Sequence, residues 1–344
     1  MRISERQIIR KIERAARLRV SRRLRGGGVF SVGIGDDAAI FKPGPHSEII
    51  LTCDWFLEGT HFLRDTHPAK SVGWKCLMRA VSDIAAMGGM PRGFLLSLAL
   101  PNSHVGKWLD HFLEGLMRAS RAANCVLAGG DTTEWREILT NVTVVGEVQR
   151  DQPVRRSGAR PGDILYVSGR LGEAESGLQL LRAEARQSRA RKIIARHQRD
   201  ARLRKHLYPN PRLNLGRWLA KRRLATAMMD LSDGLSSDLE RLCAASGVGA
   251  VVEVGKLPQV ELSAALRRGG LDARLLALHG GDDYELLFTV ARGDAGRIPA
   301  SLNGVPITAI GEITRGGKIF VQKLEGKIKK LDTAGWDPFR SGKN

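Results

Sequence analysis

Apolar runs of strand length alternate with helical patterns along the chain. The runs read IILTCDWF, RGFLLSLALP, CVLAGGD, ILYVSG, ATAMMD and ELLFTV, and segments of helical length lie between several of them. Strands and helices bury their apolar faces by packing on one another, so the alternation predicts an α/β (α+β) fold. The 344-residue chain is longer than one core usually grows. This predicts two domains, residues 1–150 and 151–344, with DQPVRRSGARPGD as the linker.

Composition excludes several classes of protein. No run approaches the roughly 18 apolar residues of a membrane span. The N-terminus lacks the apolar core of a signal peptide, so we expect a cytoplasmic protein with no membrane partner. The four cysteines form no CxxC pair and the eight histidines show no ligand spacing. Neither a zinc site nor a disulfide framework is indicated, and any metal ion is expected to be held by oxygen.

The net charge of +19 is concentrated in two segments. Residues 1–25, whose pattern predicts a helix over 4–19, contain ten Lys or Arg and two Glu. Residues 182–223 contain fifteen Lys or Arg and two acids, so the rest of the chain is slightly acidic. Both segments are basic enough to contact nucleic-acid phosphates. Because residues 182–206 and the N-terminal helix lack interleaved aromatics, we expect solvated surfaces and at most weak, salt-sensitive association with nucleic acid.

Aspartates follow the apolar, strand-like runs. They are Asp36, Asp37, Asp54, Asp131, Asp230, Asp233, Asp282 and Asp283. In open α/β sheets the ends of strands line the crevice that binds ligands, so this placement predicts that the carboxylates converge. Asp83 differs because it lies on an otherwise apolar helix, where a charge needs a partner or a metal ion. Each aspartate taken singly also fits a turn or a helix N-cap, and for Asp233 the cap stays an open alternative.

Carboxylates without soft ligands nearby favour a hard cation. Mg²⁺ typically binds through one or two carboxylates together with phosphate oxygens and water, so a nucleoside triphosphate is the natural co-ligand. The chain has no GxxxxGK[ST] loop, and GGGVFSVGIGDD matches neither the dinucleotide fingerprint nor a protein-kinase glycine-rich loop. We therefore expect the nucleotide to be held mainly through metal ions and backbone groups.

Seven motifs occur in a characteristic order. They are GIGDDAAIF, CDWFLEGTHF, SDIAAMGGMPRGFLLSLALP, GGDTT, RSGARPGD, MDLSDGLSSDL and GGDDYELLFT. Together they resemble the thiamine-monophosphate kinase family, whose superfamily includes aminoimidazole ribonucleotide synthetase and selenophosphate synthetase. The resemblance implies ATP-dependent phosphorylation of thiamine monophosphate to thiamine diphosphate by a homodimer that uses several Mg²⁺ ions. It also implies an N-terminal sheet domain that pairs across the dimer and a C-terminal α/β domain that closes over the nucleotide.

The resemblance assigns roles residue by residue. The implied metal ligands are Asp37, Thr52, Cys53, Asp54, Asp83, Asp131, Asp230 and Asp233, and among them Asp54, Asp83 and Asp131 are the expected catalytic residues. The implied ATP contacts are Gly130, Asp131, Arg156 and Ser232. The residues expected to line the thiamine side are His61, Asp282 and Trp336, and an acidic and aromatic pocket there suits the cationic thiazolium. Four features depart from the family: Cys53 replaces a hydroxyl residue, Asp282 stands where some relatives carry glutamate, Pro338 replaces a histidine, and the segment 182–206 is longer and more basic.

The absence of a recognisable catalytic base agrees with this chemistry. The acceptor is a phosphate monoester whose second pKa is near 6, so it is largely a dianion at neutral pH and needs no base. The difficulty is its repulsion from the triphosphate, which bound metal ions reduce. The alternative is another ATP-dependent enzyme of the superfamily, such as a synthetase acting on an amide or a selenide. The motifs GTHF and GWDPF favour thiamine, and the reactive cysteine expected of selenophosphate synthetase is missing near the N-terminus.

Overall fold

The computed structural model describes residues 5–17, 30–34, 37–187, 203–337 and 339. Asp36, Pro338 and the central part of the basic segment, residues 188–202, lie outside the described residues. The chain forms two compact units. The N-terminal unit includes Met1–Ile84 and Gly89–Asp151, and the C-terminal unit includes Gln152–Glu184 and Asp200–Asn344, together with Ala85–Gly88. The α/β character predicted from the alternating runs is confirmed.

The N-terminal unit contains a two-stranded and a four-stranded sheet. Its strands are β1 (Phe30–Val32), β2 (Ile40–Phe41), β3 (Ser47–Leu57), β4 (Met90–Leu100), β5 (Val126–Glu134) and β6 (Leu139–Gln149). The larger sheet has the order β3-β6-β4-β5. Strands β4 and β5 are parallel and the other neighbours are antiparallel.

Three helices belong to the same part of the chain: α1 (Glu5–Arg17), α2 (Ala69–Ala86) and α3 (Lys107–Ala123). Helix α3 connects the parallel strands β4 and β5, which need a crossover of this kind. Glycine lets α2 and α3 approach closely, because a Cβ on Gly73 would lie 2.0 Å from the carbonyl oxygen of Phe112. The sheet face with Phe94 and Val142 is buried, and the opposite face is largely exposed.

The C-terminal unit is built on one eight-stranded sheet. Its strands are β7 (Ile164–Ser168), β8 (Ala225–Leu231), β9 (Gly249–Glu253), β10 (Glu285–Val290), β11 (Ser301–Leu302), β12 (Val305–Thr314), β13 (Ile319–Gln322) and β14 (Ile328–Lys330). The order is β14-β13-β9-β12-β7-β10-β8, with β11 paired to β12. Strands β9 and β13 pair in parallel, and the other pairs are antiparallel.

The helices of the C-terminal unit cover both faces of this sheet. They are α4 (Glu173–Gln187), α5 (Arg204–Leu207), α6 (Leu213–Lys221), α7 (Leu235–Ser246), α8 (Ala264–Arg268) and α9 (Ala273–His279). Along β8, Met229 packs in the core cluster that contains α7, whereas its neighbour Met228 packs in the cluster that contains α6. The alternation of side chains along a strand thus explains why this apolar run is buried on both faces. Short 3₁₀ helices span Asn102–His104, Val254–Lys256 and Arg292–Arg297.

Several predicted element boundaries were wrong. The strand expected to end at Gly129–Gly130–Asp131 continues to Glu134, because β5 stays paired with β4 over that length. Asp54 likewise lies inside β3, which stays paired with β6 as far as Leu57. The helix predicted over residues 4–19 is observed as α1 (Glu5–Arg17), and the helix expected to carry Asp83 is observed as α2. None of the helices in the described ranges is long and apolar enough to cross a membrane.

Candidate functional site

In the N-terminal unit, one face of β3 meets one face of α2 through polar groups. Thr52 and Asp54 share this face because they are two positions apart on the strand. The hydroxyl of Thr52 donates to the Asp83 carboxylate, and Nη2 of Arg79 lies 3.9 Å from Oδ1 of Asp54. Arg79 and Asp83 are four positions apart on α2 and so point to the same side. The partner predicted for Asp83 from its apolar helix is therefore a hydroxyl on the neighbouring strand.

Sequence reasoning missed Arg79. Its guanidinium lies 5.4 Å from the centroid of the Phe56 ring, close to Asp54, so a cation is already present beside the proposed metal ligands. The sequence held one signal for it: Arg79 is four positions before Asp83 on a predicted helix, so the two side chains belong on the same side of that helix. It was not decisive, because helix spacing does not say which strand the helix faces.

Cys53 lies on the opposite face of β3 from Thr52 and Asp54. Its thiol is 3.1 Å from Oδ1 of Asn141 and 3.5 Å from the hydroxyl of Thr143. These two residues belong to β6, the strand that pairs with β3. The structure therefore does not bring the Cys53 side chain together with Asp83.

Asp131 is exposed on β5 and pairs in register with Ser97. Its Oδ1 accepts a hydrogen bond from the amide of Thr132 at 2.8 Å. The preceding Gly130 has a φ of +151° and passes close to β4, since a Cβ there would lie 1.9 Å from the carbonyl oxygen of Leu96. Only glycine fits this approach, which explains the glycine before Asp131.

The remaining predicted ligands lie on other elements of the two units. Asp37 is exposed in the loop between β1 and β2, and Asp230 is buried near the end of β8. Within residues 5–17, 30–34, 37–187, 203–337 and 339, no three His, Cys, Asp or Glu side chains form a group that could hold a metal ion. Within the N-terminal unit, acids meet in the contacts around β3 and α2, and within the C-terminal unit they meet in the loop after β8.

His61 lies in the turn that follows β3. Its Nδ1 accepts a hydrogen bond from the amide of Leu57 at 3.0 Å, and its ring centroid is 5.8 Å from that of Phe56. Because Nδ1 acts as the acceptor, the hydrogen of the neutral ring belongs on Nε2. The backbone therefore fixes both the orientation and the tautomer of His61.

In the C-terminal unit, the loop that joins β8 to α7 is organised by Asp238. The amides of Ser232, Asp233 and Gly234 donate to its Oδ2 at 3.1, 3.0 and 3.1 Å. Burial, reinforced by the nearby charge of Asp233, raises the pKa of Asp238 to about 7. These amides are used within the protein, so any contact between Ser232 and ATP depends on its side chain.

Asp233 is held by an ion pair and does not cap α7. The residue before the helix is Gly234, and no side-chain hydrogen bond caps the helix start. The carboxylate of Asp233 instead lies 2.5 Å from Nη1 of Arg241. The capping alternative left open for Asp233 is therefore not observed.

Two residues expected on the thiamine side meet this same loop. The amide of Asp282 donates to the carbonyl oxygen of Ser232 at 2.8 Å, and the amide of Trp336 donates to the carbonyl oxygen of Asp233 at 2.9 Å. The Trp336 side chain is about half exposed. Asp282 and Trp336 are 54 positions apart in the sequence, yet both attach to adjacent residues of one loop.

Arg156 belongs to a turn anchored on the C-terminal end of α7. The hydroxyl of Ser246 donates to the carbonyl oxygen of Arg156 at 3.0 Å and accepts from the amide of Gly158 at 3.2 Å. The Arg156 side chain is exposed. A separate cavity of about 560 Å³ is lined by Glu240, Cys243 and other residues, and none of the predicted site residues lines it.

Comparison with known proteins gives consistent matches over both units. The N-terminal domain of AIR synthase related proteins matches residues 35–148, and the C-terminal domain of the same proteins matches residues 160–323. Thiamine-monophosphate kinase of Escherichia coli strain K12 is 36% identical over 314 residues, which is 90% of this chain and 92% of the relative.

Solved structures agree with this match. Thiamine-monophosphate kinase from Stenotrophomonas maltophilia K279a is 36% identical with a TM-score of 0.76, covering 95% of this chain and 98% of that one. The structure of AaThiL complexed with AMPPCP and TMP is 32% identical with a TM-score of 0.72, covering 98% and 99%. By sequence and by structure, the chain belongs to the thiamine-monophosphate kinase family of AIR synthase related proteins.

Proposed function

We propose that this protein is a kinase that transfers a phosphoryl group from ATP to thiamine monophosphate and so forms thiamine diphosphate. The observation that carries the proposal is its similarity, over nine-tenths of the chain, to thiamine-monophosphate kinases. A relative of 32% identity has been solved with AMPPCP and TMP, which supports ATP as co-substrate and thiamine monophosphate as acceptor.

The acceptor supplies its own nucleophile in this reaction. An oxygen of the thiamine monophosphate dianion attacks the γ-phosphorus of ATP, and the bond from that phosphorus to the bridging oxygen breaks to release ADP. No proton has to be removed from a dianion. The protein's tasks are therefore to place two anions in line and to reduce their repulsion.

The residues around β3 and α2 fit Mg²⁺ by their donor chemistry. Thr52, Asp54 and Asp83 offer only oxygen, which hard cations prefer. Mg²⁺ needs one or two protein carboxylates when phosphate oxygens and water complete its shell, so the lack of a three-acid group in the described part of the chain does not conflict with it. When bound, the metal neutralises charge on the phosphate oxygens.

We propose Thr52, Asp54 and Asp83 as the principal magnesium-binding residues. Further proposed ligands, retained from the sequence motifs, are Asp37, Asp131, Asp230 and Asp233. Cys53 is left out because its thiol lies on the other face of β3. Asp54, Asp83 and Asp131 remain the proposed catalytic residues.

The nucleotide and acceptor contacts are also proposals. For ATP they are Gly130, Asp131, Arg156 and Ser232, and the exposed guanidinium of Arg156 suits a triphosphate. For the acceptor they are His61, Asp282 and Trp336. The carboxylate of Asp282 and the half-exposed ring of Trp336 suit the thiazolium cation, and Nε2–H of His61 suits a phosphate oxygen.

We further propose a homodimer formed through the exposed face of the N-terminal sheet. Four large apolar side chains lie on this face: Ile49, Leu51, Trp55 and Leu95. The first three alternate along the edge strand β3, Leu95 lies on β4 with β6 between the two strands, and the four are 39% to 68% exposed. Exposed apolar side chains of this size favour a protein partner, and the same face of a second copy offers a matching one. A cytoplasmic location, where ATP is abundant, belongs to the same proposal.

One incubation tests the reaction. The purified protein is mixed with ATP, Mg²⁺ and thiamine monophosphate, with and without EDTA, and the products are separated by chromatography. Metal-dependent formation of both thiamine diphosphate and ADP is the expected result. Formation of ADP without thiamine diphosphate would indicate a different acceptor, as in the other enzymes of the superfamily. If neither product formed, the proposed function would be refuted.

A further inference from the structure

The segment Asp282–Glu285 is held in an unusual backbone conformation. Asp282 and Tyr284 are left-handed, with φ of 65° and 50°, which non-glycine residues adopt only where their surroundings hold them. Their amides donate to the carbonyl oxygens of Ser232 and Leu231, each at 2.8 Å. The loop after β8 therefore fixes the direction in which this segment presents its side chains.

The carboxylate of Asp282 is contacted by two buried groups. The hydroxyl of Tyr284 donates to Oδ1 at 2.7 Å, and Nδ1 of His206 lies 3.9 Å from Oδ2. The Tyr284 and His206 side chains are nearly fully buried, whereas 31% of the Asp282 side chain is exposed. Groups inside the protein thus hold a carboxylate that is open to a ligand on its outer side.

His206 reaches this position because its neighbours anchor α5. Lys205 forms an ion pair with Glu285, and Nε of Arg212 lies 2.6 Å from the same carboxylate. Burial raises the pKa of Glu285, but the two cations outweigh burial and lower it to about 2. Glu285 therefore stays ionised and keeps α5 against β10, with His206 opposite Asp282.

The other two acids of the segment are turned inward. Glu285 is fully buried, and the carboxylate of Asp283 accepts from the amides of Gly172 and Ala174 at 2.5 and 3.0 Å. Of the three acids in Asp282–Glu285, Asp282 alone presents its carboxylate to solvent. The segment thus offers one oriented negative charge.

We propose that Tyr284 and His206 are positioning residues that aim the Asp282 carboxylate at the cationic thiazolium of the acceptor. The inference rests on the proposed function, in which Asp282 contacts thiamine monophosphate. A carboxylate already held by buried partners loses little conformational freedom when the cation binds. Less of the attraction between carboxylate and cation is therefore offset by the entropy cost of fixing the side chain. Removing either partner therefore weakens acceptor binding and leaves ATP binding unchanged.

Steady-state kinetics of Tyr284→Phe and His206→Gln test the proposal, with Tyr166→Phe as the matched control. This control removes the same hydroxyl from a tyrosine of β7, whose ring stacks on Phe288 with centroids 5.4 Å apart. We expect the KM for thiamine monophosphate to rise about fivefold to tenfold in Tyr284→Phe. The KM for ATP and kcat stay within about twofold of the wild type, and the control is unchanged.

A double variant separates positioning from a general loss of structure. Because Tyr284 acts through Asp282, adding Tyr284→Phe to Asp282→Asn produces no further rise in KM. Additive losses, or an unchanged KM in both single variants of an active enzyme, would overturn the proposal. If Tyr284→Phe fails to fold, His206→Gln carries the same comparison. An inactive wild-type enzyme would count against the proposed function itself.

Discussion

The guanidinium of Arg241 lies 2.5 Å from the carboxylate of Asp233. The same group lies 2.7 Å from Asp238, whose other oxygen accepts three loop amides. Asp233 is also a proposed magnesium ligand. A cation of the protein thus already neutralises this carboxylate, so a metal ion has to compete with Arg241 for it.

Replacing Arg241 with Gln removes the competing charge. We expect half-maximal activity at a lower Mg²⁺ concentration than in the wild type, because Asp233 becomes available. Stability falls by about 1–3 kcal/mol, since the buried Asp238 loses a charged partner. Magnesium titrations of the rate and thermal melts measure the two effects. Arg297→Gln, which removes a surface pair with Asp294, is the control. An unchanged magnesium requirement would remove Asp233 from the ligand set.

Asp54→Asn is expected to abolish turnover while the fold stays intact. The substitution keeps the shape of the side chain and removes the charge that the proposed metal site needs, so kcat falls at least about a hundredfold. Kinetics together with circular dichroism check this. The control is Asp110→Asn, which affects an exposed carboxylate paired with Lys11 at 2.8 Å. A near-wild-type rate for Asp54→Asn would contradict the assignment.

Glu285→Gln is expected to destabilise the protein at neutral pH. Lys205 and Arg212 lose their buried counter-charge, which costs about 3–5 kcal/mol and lowers the melting temperature by about 10 °C. In the wild type the pKa of Glu285 is lowered from its ordinary value of 4.5 to about 2. The stability that ionised Glu285 contributes is therefore complete above pH 4.5 and is lost as the pH falls toward 2. The difference in melting temperature between the variant and the wild type therefore becomes smaller at acidic pH.

Melting curves of both proteins at neutral pH and near pH 3 measure this. Glu312→Gln is the matched control because Glu312 pairs with Arg292 at the surface of the same sheet, where an ion pair contributes little. A difference that does not change with pH would show that the ionisation of Glu285 is not what anchors α5.

Leu51→Lys is expected to convert a dimer into monomers. Leu51 is 68% exposed on the exposed face of the N-terminal sheet, and a buried unpaired lysine at the proposed interface is unfavourable. Light scattering after size exclusion measures the mass. The control is Leu324→Lys, which alters a side chain of the C-terminal unit that is 72% exposed. A wild-type mass equal to one chain would contradict the dimer.

Local patterns predicted most of the elements but not their pairing. The helix that carries Asp83 and the strand that leads to Asp230 were expected from periodicity, and both occur. The expectation that Asp54 ends a strand was wrong, because antiparallel pairing with β6 extends β3 beyond it. Alternation along β3 places Cys53 on the side opposite Thr52, and packing against α2 decides which of the two sides meets Asp83.

The sequence by itself determined which donors are available and the periodicities that form strands and helices, because both depend on residues close together in the chain. Tertiary structure alone decided which carboxylates carry a protein cation: Asp54 beside Arg79, Asp233 beside Arg241, and Glu285 beside Lys205. Glu285 and Lys205 are 80 positions apart. The pairs Asp54–Arg79 and Glu285–Lys205 form only when sheet register and helix packing bring distant residues together, and no local pattern encodes that distance.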